Sequence, residues 1–319
     1  MKYLITGANG FVGKALCTEL ARRDFYVRGA IREPLSSPEL SYDVVSVGNI
    51  GSETDWTEAL KGVGVVVHLA ARVHVMRDKA VDPLIEFRAV NAEGTLNLAR
   101  QAAKTNVQRF VYLSSIKVNG EQTLPGQPFT EQDVPTPLDP YGISKYEAEV
   151  GLLKIVQQTG MEIVVIRPPL VYGPGVKANF LSMMHAIYKG IPLPLGAIHN
   201  RRSLVALDNL VDLILTCIDH PAAANQVFLV SDGEDMSTTE LLQRTAVALG
   251  KSVQLLPIPQ GLLALGLKML GKKDLAQRLC GSLQVDINKT RNVLGWRPPI
   301  SVEEGLRKTA EEFLRTGCR

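Results

Sequence analysis

The chain has 319 residues, 45% of them hydrophobic and 21% charged, with a formal net charge of +3 at pH 7. That supplies enough apolar material for a substantial core and for division into two parts. Basic and acidic residues are spread along the chain without a basic block or arginine-aromatic interleaving, which argues against a nucleic-acid partner.

Cys17, Cys217, Cys280 and Cys318 lie far apart and form no C-x-x-C pair, so neither a disulfide framework nor a metal site is expected. The start, "MKYLITGANG", runs straight into a glycine turn without the features of a signal peptide, and the expected location is cytoplasmic. No run reaches the roughly 18 to 20 apolar residues of a spanning helix. The nearest approach is "GLLALGLKMLG" at Gly261–Gly271, which reads as a core or interface helix, with contact with a membrane surface as the alternative.

In chain order, short apolar runs alternate with helical patterns. "KYLIT" precedes "VGKALCTELARR", and "YVRGAI" and "DVVSV" precede "DWTEALKG". "VGVVVHLA" precedes "VNAEGTLNLARQAAKT", and "RFVYLSS" is followed by a loop, by "YGISKYEAEVGLLKIVQQTG" and by "EIVVIRP". Nearly continuous apolar strands separated by helices predict an α/β fold with a doubly wound parallel sheet, covered on both faces. The boundary of this dinucleotide-binding part is expected at residue 168. Residues 169–319, richer in proline and glycine at "RPPLVYGPG" and "GIPLPLG", would form mainly a smaller substrate domain. A helix and strand at about 208–231 are expected to return to the sheet.

"TGANGFVGKAL" puts Gly7, Gly10 and Gly13 between the first strand and the first helix, spaced G-x-x-G-x-x-G. Glycines there allow a tight turn and a close approach of backbone to pyrophosphate, and the helix start offers free N–H groups to the anion. An acid that binds the ribose of NAD is expected about 20 residues on, at the end of the second strand. Here Arg32 follows Ile31, which suits a 2′-phosphate and leans towards NADP over NAD, with Glu33 as a possible hydroxyl ligand. Downstream, Tyr141 and Lys145 stand four apart at a helix start and so share a face. A phenol, with a reference pKa of about 10, shuttles protons near neutrality only if a nearby cation stabilises its anion. Ser115, at the end of "RFVYLSS", completes a Ser, Tyr, Lys set.

Taken with "HLAA" at His68–Ala71, "VNAEGTLNL", "RPPLVYGPG" and "LGWRPPISVEEGL", these residues resemble the extended short-chain dehydrogenase/reductases, the NAD-dependent epimerase/dehydratase family. The resemblance covers essentially the whole chain. It implies a Rossmann domain for the nicotinamide dinucleotide, a C-terminal domain holding a UDP-linked sugar, and a homodimer. It also implies that Tyr141 exchanges a proton with the sugar oxygen, Ser115 hydrogen-bonds that oxygen, and Lys145 binds the nicotinamide ribose. Phe11 and Val12 would lie at the pyrophosphate and Asn49 and Ile50 near adenine, with Leu69, Ala70, Ala71, Asn91 and Pro168 along the cofactor. Asn179, Arg202 and Arg278 would serve the substrate diphosphate, and Lys117 is a candidate sugar contact.

Ser115-Ile116-Lys117 replaces the Thr-Asp-Glu of the family's 4,6-dehydratases, which argues against that reaction. Arg32, together with Leu170 where UDP-glucose 4-epimerases have a different motif, points to a dissociable cofactor. The leading expectation is therefore an NAD(P)H-dependent reductase of a UDP-linked 4-keto-6-deoxy-N-acetylhexosamine, in bacterial surface-polysaccharide synthesis. The alternative is a 4-epimerase of a UDP-hexose or UDP-N-acetylhexosamine with bound NAD.

Overall fold

A computed structural model describes residues 1–34, 41–73, 82–124 and 126–316. Cys318 lies outside the described residues, and Cys17, Cys217 and Cys280 are free and buried. The strands are β1 (Lys2–Thr6), β2 (Tyr26–Ile31), β3 (Asp43–Ser46), β4 (Val63–His68), β5 (Arg109–Leu113), β6 (Glu162–Arg167), β7 (Leu170–Tyr172), β8 (Arg202–Ala206), β9 (Gln226–Leu229) and β10 (Asp235–Met236). Seven of them form a sheet in the order β3-β2-β1-β4-β5-β6-β9, parallel throughout. The order reverses between β1 and β4, and in open α/β sheets that switch point, at the carboxyl ends of the strands, is where ligands bind.

The helices flanking this sheet are α1 (Phe11–Arg22), the short α2 (Thr57–Leu60) and α3 (Pro83–Phe87), then α4 (Thr95–Lys104) and α5 (Pro140–Thr159). Leu16, Leu20, Val67 and Val111 belong to the core on one face, and Leu4, Val66, Leu98, Phe110 and Leu152 to the core on the other. Fully apolar strands follow from this double coverage.

Beyond β6 the chain adds α6 (Ala178–Tyr188), α7 (Leu207–Asp219), α8 (Thr238–Ala248), α9 (Gln260–Met269), α10 (Lys273–Cys280), α11 (Asn288–Leu294) and α12 (Val302–Thr316). β10, β8 and β7 form a second, three-stranded sheet, and a third cluster around Tyr172, Phe180, Met236 and Phe313 packs beside it. Proline and glycine around "RPPLVYG" suggest a loop, whereas Leu170–Tyr172 is a strand. It forms because β8, more than 30 residues away, supplies its partner, a pairing no local signal announces. The chain then runs through α7 to β9, which pairs with β6 in the main sheet. Buried Arg109 fastens this return by donating from Nη1 to the carbonyls of Cys217 (2.9 Å), Ile218 (2.8 Å) and His220 (3.0 Å) at the C-terminal end of α7, where a cation suits the free carbonyls. In α9 no residue is buried, which corrects the expectation of a core helix there.

Candidate active site

At the end of β1, Gly7 has φ +65°, a left-handed conformation that glycine adopts without steric cost. A Cβ on Gly13 would sit 2.1 Å from the Gly7 carbonyl oxygen, so only hydrogen fits there. α1 starts at Phe11 with no side chain capping it and no acid in its first turn, which leaves its first N–H groups free for an anion. Gly13→Ala is therefore expected to open the turn, lowering the melting temperature and abolishing dinucleotide binding in a fluorescence titration.

The turn is held from below by a buried relay. Thr6 Oγ1 accepts from the backbone N–H groups of Leu69 and Ala70, both at 3.1 Å, and lies 2.7 Å from His68 Nδ1. Thr95 donates its hydroxyl proton to the Asn91 carbonyl at 2.7 Å, so His68 Nε2–H must donate to Thr95 Oγ1 at 2.9 Å and Nδ1 accepts from Thr6. Burial, with a smaller push from Lys145, lowers His68 to about 3 and keeps it neutral. Asn91 sits in a π-helical stretch, Arg88–Gly94, a form frequent at functional sites. Its amide donates to the Arg72 carbonyl and to Ser144 Oγ and accepts from the Arg72 N–H, tying the segment after β4 to the start of α5.

Arg32 is exposed at the end of β2, paired with equally open Glu33 at 3.4 Å. Asn49 is exposed, with its carbonyl bound by Thr54, and Ile50 packs at the edge of the core. Ala71 is half-buried in the segment after β4, and Pro168 is buried, accepting from the Ile116 N–H at 3.0 Å.

α5 begins as its sequence predicts. Asp139 caps it, accepting from the Gly142 N–H at 2.7 Å, Pro140 takes the first turn, and Gly160 ends it in the left-handed region. This start aims Tyr141 at the end of β5, with its phenol beside the Ser115 side chain. Ser115 Oγ accepts from the Lys117 N–H at 3.3 Å, capping a short 3-10 turn. One helical turn further on, Lys145 is 1% exposed, donates from Nζ to the Leu113 carbonyl at 2.8 Å and lies 4.4 Å from the centre of the Tyr112 ring.

The phenol of Tyr141 is pushed well above its ordinary value by burial and by the Asp139 charge, with Ser115 pulling the other way. This differs from the sequence-based expectation that the lysine lowers it. Burial depresses Lys145 to about 7, with the Glu149 carboxylate opposing, so its own charge is costly. The unfolded chain, with a lysine pKa of about 10.4, binds a proton between these two values that the folded protein has released. Stability attributable to Lys145 thus rises with pH from about 7 upward. Urea melts of the cofactor-free protein are expected to show this rise, and Lys145→Met to lack that part of it.

Beneath the lysine, Glu149 accepts from Arg167 Nε (3.0 Å) and Nη2 (2.5 Å) and from Ser114 Oγ, and Arg167 Nη1 donates to Asn119 Oδ1 at 2.9 Å. Glu149 repeats the four-residue spacing of Tyr141 and Lys145, a same-face signal legible in the sequence. Asp139 was equally legible as an acid before a proline at a helix start.

Tyr141 opens on a cavity of about 500 Å³. Lys117, ion-paired with Asp139, lines it together with Arg202, Gln277 and Arg278. Arg202 donates to the Gly281 carbonyl at 3.0 Å, and its pKa is lowered by burial and by neighbouring Arg278, so the pair offers concentrated positive charge. Asn179 is exposed in the first turn of α6 and does not line this cavity. A phosphate-accepting turn at the sheet's switch point, beside a phenol, a serine and a buried lysine, fits a dinucleotide. It can exchange protons with a hydroxyl or carbonyl held in the cavity.

The model of the NAD dependent epimerase/dehydratase family matches residues 3–231. A UDP-glucose 4-epimerase of Vibrio cholerae is 51% identical over 319 residues, 99% of this chain and 96% of that protein. An Escherichia coli O157:H7 protein, N-acetyl-α-D-glucosaminyl-diphospho-ditrans,octacis-undecaprenol 4-epimerase, is 27% identical, covering 98% of this chain and 95% of the relative. Among solved structures, MoeE5 in complex with UDP-glucose and NAD superposes with a TM-score of 0.79 at 26% identity, covering 99% of both chains.

Proposed function

The chain belongs to the NAD-dependent epimerase/dehydratase family, and on that premise we propose that it is a UDP-sugar 4-epimerase working with NAD. The observation that carries this reading is the 51% identity, over nearly the full length of both proteins, to a UDP-glucose 4-epimerase. It displaces the 4-ketoreductase favoured by the sequence reading. Arg32, the residue behind that preference, pairs with Glu33 on the surface, and the NAD held by MoeE5 supports NAD over NADP.

The glycine turn and the start of α1 would hold the pyrophosphate, and Lys145 the nicotinamide ribose. Bound NAD supplies a hydride acceptor that can later return the hydride. Tyr141, as the phenolate that a charged Lys145 one helical turn away would stabilise once cofactor and sugar are bound, would take the proton of the C4 hydroxyl as that carbon is oxidised and give it back when the keto group is reduced on its other face. Ser115 hydrogen-bonds the same oxygen in both directions. No proton or hydride is consumed overall, as epimerisation requires. Arg202 and Arg278 would bind the diphosphate, and Lys117, which lines the same cavity, would contact the sugar. Residues 1–168 would be the cofactor domain and 169–319 mainly the substrate domain, and a cytoplasmic homodimer through helices of the cofactor domain completes the reading. The sugars made would feed surface-polysaccharide assembly.

The test is to denature the purified protein, assay the released nicotinamide dinucleotide, and incubate the native protein with UDP-glucose or UDP-N-acetylglucosamine. Released NAD and conversion to the C4 epimer without net change in nicotinamide absorbance are expected. Stoichiometric oxidation of added NAD(P)H by a UDP-4-keto-6-deoxy-N-acetylhexosamine, with no epimerisation, would restore the reductase.

A further inference from the structure

The segment Gln260–Cys280 is at odds with its surroundings. α9 reads Gln-Gly-Leu-Leu-Ala-Leu-Gly-Leu-Lys-Met, with polar side chains only at its first residue and at Lys268. A helix apolar around its whole circumference is normally buried, yet no residue of α9 is. Leu263 and Ala264 rest against the third core cluster, while Leu262, Leu265, Met269 and Leu270 are 63%, 55%, 81% and 72% exposed. Gly266 has open space where a side chain would be, and a short helix with two glycines depends on burial for its stability.

The charges around this face are one-sided. Between Gln260 and Cys280 stand Lys268, Lys272, Lys273 and Arg278 against a single acid, Asp274. The three lysines are exposed beside the apolar side chains. An isologous contact with a second copy would bring these lysines towards their own kind. An anionic lipid headgroup layer would take the leucines and the methionine at its acyl boundary and the lysines among its phosphates. α10, which follows through the turn at Gly271, carries the Gln277 and Arg278 that line the cavity opening on Tyr141.

We propose that the α9–α10 hairpin is a docking surface for an anionic phospholipid bilayer, and that it seats the mouth of the substrate cavity at the membrane. Sugar nucleotides made there would be released beside membrane-embedded transferases that consume them. This goes beyond the epimerase reading, and its deciding readout, vesicle binding, does not use the reaction.

The experiment is co-sedimentation of the full-length protein with phosphatidylcholine vesicles, with and without phosphatidylglycerol. Binding is expected only with phosphatidylglycerol and should weaken as salt is raised. Lys268→Gln/Lys272→Gln/Lys273→Gln should weaken binding on the order of a hundredfold. Leu265→Ser/Met269→Ser should reduce it to the phosphatidylcholine background, with melting temperature and vesicle-free turnover unchanged. Equal sedimentation with both vesicle types, no binding to either, or undiminished binding by both variants overturns the proposal. So does a wild-type dimer that Leu265→Ser/Met269→Ser converts to monomer without any vesicle binding, which would make α9 a subunit contact instead.

Discussion

Tyr141→Phe is expected to lower turnover by about 10²- to 10⁴-fold, the usual contribution of a positioned general acid or base. The substitution removes only the hydroxyl. The ring keeps its edge contact with Phe87, at 6.1 Å between centroids, and the Asp139 cap on α5 stays in place. The glycine turn lies on another element, so dinucleotide retention should be nearly unchanged. Turnover measured with UDP-glucose, alongside NAD released on denaturation, checks both halves. If turnover survives in Tyr141→Phe, the phenol is not the proton carrier, whatever the sugar.

The largest expected effect on stability comes from Arg167→Met. Arg167 and Glu149 are 5% and 4% exposed, so the change strands a buried carboxylate whose remaining hydrogen-bond partner among the described residues is the Ser114 hydroxyl. Removing one member of a buried pair costs about 3–5 kcal/mol, roughly 4–8 °C in melting temperature at this size. The double variant Arg167→Met/Glu149→Met should recover much of the loss, because it removes the uncompensated charge together with its partner. The Lys145 charge also leans on Glu149, so the double variant should lose activity even where it regains stability. Thermal melts and turnover measured on the same samples separate the two effects.

Much of this site could be read from short stretches of chain. Gly7, Gly10 and Gly13 announce the turn because only hydrogen clears the Gly7 carbonyl. Asp139-Pro140 announces the start of α5, and the four-residue spacing of Tyr141 and Lys145 puts both on one helix face. Such features are local, set by backbone sterics and helix geometry within a few residues. The expectation against a dehydratase rests on a local signal of the same kind, Ile116 and Lys117 where the resemblance places acids in that subgroup.

Other features belong to the tertiary structure alone. The strand at Leu170–Tyr172 exists because β8 pairs with it. The cavity at Tyr141 is completed because α10 brings Gln277 and Arg278 to its lining from well over 100 residues away. The electrostatic state of the catalytic set followed the same rule. Tyr141 and Lys145 suggested a phenol eased towards ionisation, and burial by distant segments instead pushes the phenol up and the lysine down. Likewise an apolar run at 261–271 suggested a packed helix, and only the placement of its neighbours shows that nothing covers its outer face. The sequence by itself determined the turns, the helix starts and which side chains are the candidates for the reaction, because those depend on residues close along the chain. The folded structure decided pairing, burial and charge state, because these depend on which distant surfaces exclude water.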